Sequence, residues 1–294
     1  MRSRRPGRKG LAVTELLVRH IDFRFDDSIP FHWNPGNPYW GNLVNFITLM
    51  APPFERYAIR ATRAALPRIH DQAVKEDAEL FCRQEAQHAR HHRAHMTLLT
   101  RKHPGLEGVL NDINASFEAM YRRESLDYHL AYVATVELFF GPLAAFVIEN
   151  REALFIDADP HIAGFMLWHL VEEIEHRNSA IDIYRDVVGS HAYRLKTLAK
   201  TGRQLNEVGR IAREGFNRHA PAGPGGVEAG DVRAPFSSIP RRRQLALLCR
   251  LAGTLLPFHR PDRLRQPPWV GQWFADQAAG MDMTRYYPQG RSAL

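Results

Sequence analysis

Glu85-Ala-Gln-His88 and Glu173-Ile-Glu-His176 decide how the rest of this 294-residue chain is read. On an α-helix a spacing of three puts a carboxylate and an imidazole on one face, about one turn apart. With 17 Glu and 15 His in the chain, chance alone yields about one Glu-x-x-His, so the weight rests on what accompanies the pair. Glu55 stands 30 residues before Glu85, and Glu137 stands 36 residues before Glu173. A gap of that length lets the chain run down one helix, turn, and return at the same height. Doing so twice sets four carboxylates and two imidazoles around one point, the ligand set of a carboxylate-bridged dimetal centre in a four-helix bundle. The competing reading is a set of charged residues on solvated helix faces.

The neighbouring residues favour burial. Glu137 is the single carboxylate in the run His129-Leu-Ala-Tyr-Val-Ala-Thr-Val-Glu137-Leu-Phe-Phe-Gly-Pro-Leu-Ala-Ala-Phe-Val-Ile148, a costly placement unless it is paired or metal-bound. Gly141 and Ala144, at i+4 and i+7, leave space there for an ion and a small ligand, and Pro142 is expected to kink the helix just past the site. Phe165, Met166 and Leu170 precede Glu173, while Glu172 and Glu175 project away from it as outer-face or supporting groups. Glu55 follows Pro52-Pro53, which suit a first helical turn, so it is expected to enter from a helix start. His169 completes His-x-x-x-Glu-x-x-His with Glu173 and His176; all three share a face, which makes His169 either a core histidine or a seventh ligand that renders the two metals unequal. His92 raises the same question on the second helix, but within the run His88, His91, His92 and His95 it reads mainly as lying outside the ligand set.

Three stretches carry a family resemblance: His32-Trp-Asn-Pro-Gly-Asn-Pro38, Met50-Ala-Pro-Pro-Phe-Glu-Arg56, and the two Glu-x-x-His helices. Through them the segment of about residues 20 to 190 resembles the ferritin-like di-iron carboxylate superfamily. In more detail it is similar to a bacterial family known as predicted metal-dependent hydrolases. The interval between His169 and the last Glu-x-x-His also resembles that of the di-iron arylamine N-oxygenases. The fold expected is all-α, a ferritin-like four-helix bundle with extra C-terminal helices.

Composition agrees with a globular chain: 45% hydrophobic and 24% charged residues are ordinary values. Cys82 and Cys249 are the only cysteines and share no metal or redox spacing, so a reducing cytoplasm is the expected compartment. The net charge of +7 is concentrated in Met1-Arg-Ser-Arg-Arg-Pro-Gly-Arg-Lys-Gly10 and in Arg241, Arg242, Arg243, Arg250, Arg260, Arg263 and Arg265. Solvated surface is the simpler reading of both patches, and no motif with groove-reading geometry points to specific nucleic-acid binding. No run reaches the length of a membrane span; Leu245 to Leu256 lies on a membrane surface or packs on the bundle. The organisation expected is a basic flexible tail at 1–19, a dimetal helical domain at 20–190, an amphipathic helix at 191–218, a flexible linker at 219–240 and a basic helical segment at 241–294. Within it, helices are expected over about 40–50, 53–66, 71–101, 106–124, 126–155, 160–188 and 193–217. Trp33, Tyr39 and Trp40 either cap the bundle's open end and shape an entrance or simply pin a loop.

The site expected thus comprises Glu55, Glu85, His88, Glu137, His169, Glu173 and His176 around two metal ions. Oxygen and nitrogen ligands without thiolate suit iron, with manganese as the alternative. Glu85 and Glu173 would bridge, Glu55 and Glu137 would each serve one half-site, and His88 and His176 would ligate one ion each, with His169 added to the second. The chemistry expected is a di-iron oxidase or oxygenase acting with dioxygen on a small organic substrate beside Gly141. Its electron donor is unspecified, and a homodimer is compatible. The alternative is a hydrolase using a metal-activated water; the third reading is non-catalytic metal binding.

Overall fold

A computed structural model describes residues 16–286. The basic segment 1–10 and the chain end after 286 lie outside the described residues. Among those described the chain is all-α, with no strand. Four long elements frame the site: α1 (Pro38–Ala65), α2 (Gln72–Lys102), α4 (Leu126–Glu149) and the pair α6 (Pro160–Glu175) and α7 (Ser179–Val187). α3 (Leu106–Arg123) and α8 (His191–His219) pack on one flank, the short α5 (Arg151–Leu154) follows α4, and α9 (Arg241–Gly253) and α10 (Pro268–Ala278) lie against the far end of α4.

Side-chain caps start the framing helices. Asn37 accepts from the Trp40 amide, Asp71 from Ala73 and Val74, Ser125 from Tyr128, and Asp159 from His161 and Ile162, each satisfying donors that a helix start leaves unpaired. α4 is buried along almost its whole length, from Tyr128 to Leu138 and again from Gly141 to Ile148 with one partly exposed position. It is a 24-residue helix long and apolar enough by composition to cross a membrane, which corrects the expectation that no run reaches that length. Its surroundings are protein: Tyr128, Leu130 and Val136 join one hydrophobic cluster and Ala144, Phe146 and Ile148 another.

Two helix boundaries at the site differ from expectation. α1 runs unbroken through Pro52 and Pro53, although an internal proline removes a hydrogen bond and costs about 3 kcal/mol. Leu49, Phe54, Tyr57 and Ala58, on both sides of the prolines, are buried in one core cluster, and that packing offsets the two lost bonds. Glu55 therefore projects from a helix interior, not from a helix start. The expected single helix 160–188 is instead two: α6 ends at Glu175, His176 is its C-cap, and α7 begins at Ser179. Arg177 holds the break by donating to Ile174 O and, at 2.9 Å, to Pro261 O.

The loop before α1 packs inward. Trp33 and Trp40 are buried, Trp33 Nε1 donates to Asn45 Oδ1 at 3.0 Å, and both rings meet Phe155. The segment 219–240 lies against this corner: Asn42 Nδ2 donates to Glu228 O and Asp231 O, and Ala229 and Ile239 are buried.

Candidate metal centre

Glu55 from α1, Glu85 and His88 from α2, Glu137 from α4, and His169, Glu173 and His176 from α6 and its cap all converge in the bundle interior, none more than 7% exposed. Four overlapping sets of their ligand atoms each lie within 4.8 Å: Glu85, Glu137, Glu173 and His176; Glu55, Glu85 and His88; His88, His169 and Glu173; and Glu55, His92 and His169. Glu85 and Glu173 belong to sets on both sides. Glu137 and His176 define one side, Glu55 and His88 the other.

His169 belongs to the Glu55–His88 side. Its ring centroid lies 4.2 Å from that of His88, and neither of its sets contains Glu137 or His176. The expectation that His169 serves the same side as His176 is corrected here. The two lie seven residues, about 10.5 Å, apart along the helix axis, with Glu173 between them, so His169 meets Glu173 Oε1 and His176 meets Oε2.

The two motifs support each other crosswise. The residue preceding Glu173, Glu172, accepts a 3.0 Å hydrogen bond from His88 Nε2, and the residue preceding Glu85, Gln84, accepts one at 3.1 Å from His176 Nδ1 through its Oε1. The nitrogens left facing inward are His88 Nδ1, 3.7 Å from Glu85 and 3.8 Å from Glu173, and His176 Nε2, 3.3 Å from Glu85 and 3.2 Å from Glu173. An imidazole whose outer N–H is held by a carboxylate or amide is oriented as metal-ligating histidines are. Above this layer Arg19 donates to Glu175 at 2.8 and 2.9 Å and to Glu172 at 3.1 Å, while Gln84 Nε2 donates to Glu175 at 2.6 Å. The Arg19 guanidinium lies over Phe274 of α10 at 4.9 Å.

The donor set fits a cation. Glu55 Oε2, Glu85 Oε1, His88 Nδ1 and both carboxylate oxygens of Glu137 are buried without a hydrogen-bond partner. Unpaired buried carboxylate oxygens are strongly disfavoured unless positive charge compensates them. Proton affinities report the same tension. Burial, then the charges of Glu85 and Glu173, raise the Glu55 carboxyl well above its usual range; burial and Glu173 push Glu137 up to about 8. Burial disfavours a charged His88, yet the hydrogen bond it donates to Glu172 and the negative charges of Glu85 and Glu172 together push it up to about 10. His91, His92 and His95 go the other way, lowered mainly by burial. This outer group is joined to the site: His169 Nδ1 lies 2.7 Å from His92 Nε2, and Thr48 Oγ1 lies 3.2 Å from His92 Nδ1 and 3.0 Å from His95 Nδ1.

Sequence reasoning placed Glu172 and Glu175 as outer or supporting groups; both are buried, Glu172 accepting from His88 and Glu175 from Gln84 and Arg19. It missed Gln84, Thr48 and Arg19. For Gln84 a signal was present, since a polar hydrogen-bonding residue directly precedes the glutamate in both motifs. For Arg19 none was, because it lies in an extended segment far from either motif in the chain. Gly141 is also corrected: a Cβ there would meet Arg177 at 3.5 Å and Leu264 at 3.8 Å, so this glycine seats the C-terminal segment and not a ligand. Tyr132 points away, donating to Gln204 Oε1 at 2.5 Å. A cavity of about 750 Å³ lined by Arg151, Arg243, Arg250 and Trp269 among others contains none of the cluster residues.

Over residues 17–210 the chain matches the family described as predicted metal-dependent hydrolase. That match spans more than half the chain, and the chain belongs to this family. No curated protein and no solved structure matches it.

Proposed function

We propose that this member of the predicted metal-dependent hydrolases is a two-metal enzyme that cleaves its substrate with a metal-activated water. The observation that carries the reading is the convergence of four buried carboxylates and three imidazoles with five of their donor atoms unpaired. Two ions would be held there with Glu85 and Glu173 shared between them, Glu55, His88 and His169 serving one, and Glu137 and His176 serving the other. Bound there, the ions supply Lewis acidity and a water of lowered pKa.

The chain's own residues do the rest. Glu172 and Gln84 hold the His88 and His176 rings so that one nitrogen of each faces the centre. Arg19 balances the charge of Glu172 and Glu175, which keeps both available as acceptors. The hydrogen-bonded series His169, His92, Thr48, His95 fixes the orientation of the His169 ring, with Nε2 toward Glu173 and Nδ1 toward His92. The buried walls keep bulk water out.

A second reading has its own support. A donor set of carboxylates and imidazoles alone, with one more histidine on one half, also suits a pair of iron ions in an oxidase or oxygenase that uses dioxygen. Elemental analysis of metal-reconstituted protein, followed by parallel assays, separates the two. About two metals per chain with ester or phosphoester hydrolysis by zinc- or magnesium-loaded protein is the expected result. Turnover that needs iron and consumes dioxygen would transfer the function to the second reading. Failure to bind metal would overturn both.

A further inference from the structure

The outward face of α9 is apolar where a surface helix is ordinarily polar. Of its 13 residues only Leu247 is buried. At about 100° per residue, Leu245, Leu248, Cys249 and Ala252 fall on the side away from Leu247. All four are exposed, with Leu245 and Leu248 each at 62%. The chain beyond the helix continues the pattern, with Leu256 at 47% and Phe258 at 75%. Four large apolar side chains are therefore presented to solvent within 14 residues.

Charge surrounds this strip. Residues 241 to 265 contain seven arginines and a single acidic residue, Asp262, which is held by Arg260. Arg241, Arg242, Arg263 and Arg265 are exposed. On the flank of the same helix Arg243 and Arg250 line the 750 Å³ cavity together with Arg151 and Trp269. Guanidinium groups thus lie at the start of the apolar strip, beside it and beyond its end. An apolar face bordered by arginine is the composition of elements that lie in the plane of an anionic bilayer, apolar groups among the acyl chains and cations among the headgroups.

We propose that α9 and the segment through Phe258 form a peripheral docking surface for membranes rich in anionic phospholipid. The surface does not span the bilayer, and it is independent of which reaction the metal centre performs.

The test is co-sedimentation of the full-length protein with vesicles of phosphatidylcholine alone or with about 30% phosphatidylserine. Binding to the anionic vesicles, weak binding to the neutral ones, and release at about 0.5 M salt are expected. Arg241→Gln with Arg242→Gln should weaken binding roughly ten- to thirtyfold, at about fivefold per arginine. Leu245→Ser with Leu248→Ser should abolish detectable binding, and Phe258→Ser, at a loop position, should weaken it without touching the helix. Metal content, which depends on the bundle, reports that each variant is folded. Equal binding to both vesicle types, or none to either, overturns the proposal. So does a dimer in size-exclusion chromatography with light scattering that Leu245→Ser with Leu248→Ser converts to monomer while vesicle binding stays unchanged, since the face would then belong to a second copy.

Discussion

The two Glu-x-x-His motifs are alike in sequence and unlike in the folded chain. Glu85 and His88 lie in the middle of a 31-residue helix; Glu173 lies near the end of α6, and His176 is its cap. Each histidine is held by the residue preceding the other motif's glutamate, a reciprocal arrangement that a pseudo-twofold would produce. The holding groups differ, however: a carboxylate for His88 and an amide for His176. The surroundings differ further, because His169 and behind it His92 stand on the Glu55–His88 side only. A repeated spacing therefore builds a symmetric cage of donors, and what lies outside the repeat makes its halves unequal.

The largest effects should come from the residues common to both halves. Glu85→Ala or Glu173→Ala removes a carboxylate that serves both sides and should take metal content from about two ions per chain to near none, whereas Glu55→Ala or Glu137→Ala should leave about one. Equal losses in all four variants, read by elemental analysis, would mean that the halves do not exist as separate sites. Arg19→Ala leaves Glu172 and Glu175 buried without their guanidinium, a change worth about 3–5 kcal/mol of stability; thermal unfolding of the metal-free variant should show it directly.

Sharper tests address the inequality itself. His169→Ala should weaken one of the two ions by about 10- to 100-fold and spare the other, while Glu172→Ala should do the same through His88 and Gln84→Ala more mildly through His176. Calorimetric titration that finds both ions weakened equally by His169→Ala would place this histidine between the halves. The smallest effect is the pH dependence. Glu137 is raised from an ordinary 4.5 to about 8, and His88 from 6.5 to about 10. Each thus favours the folded metal-free protein fully below its ordinary pKa and loses that contribution as pH rises through its folded value. Metal-free protein should lose thermal stability as pH rises from about 7 to 9, above the range in which the lowered His91, His92 and His95 act in the opposite sense, and metal should restore it increasingly over that window, because bound cations replace those protons. A stabilisation by metal that is constant with pH would argue that Glu137 and His88 stay outside the centre.

Helical period, apolar runs and the Glu-x-x-His repeat were sufficient to reach the all-α class and to assemble Glu55, Glu85, His88, Glu137, His169, Glu173 and His176 as neighbours. The reason is local: on one helix the spacing alone determines which side chains share a face, and two matched intervals bring paired helices back to one level. Tertiary structure decided what local rules cannot. Core packing carried α1 through Pro52 and Pro53 and moved Glu55 to a helix interior, since buried area outweighs the loss of two backbone hydrogen bonds. The packing of α6 against α2 and α4 turned His169 toward the Glu55–His88 side and His176 toward Glu137. Arg19 reached Glu172 and Glu175 across 153 and 156 residues of chain, a contact that no spacing encodes, because burying two carboxylates requires a cation from wherever the fold can supply one.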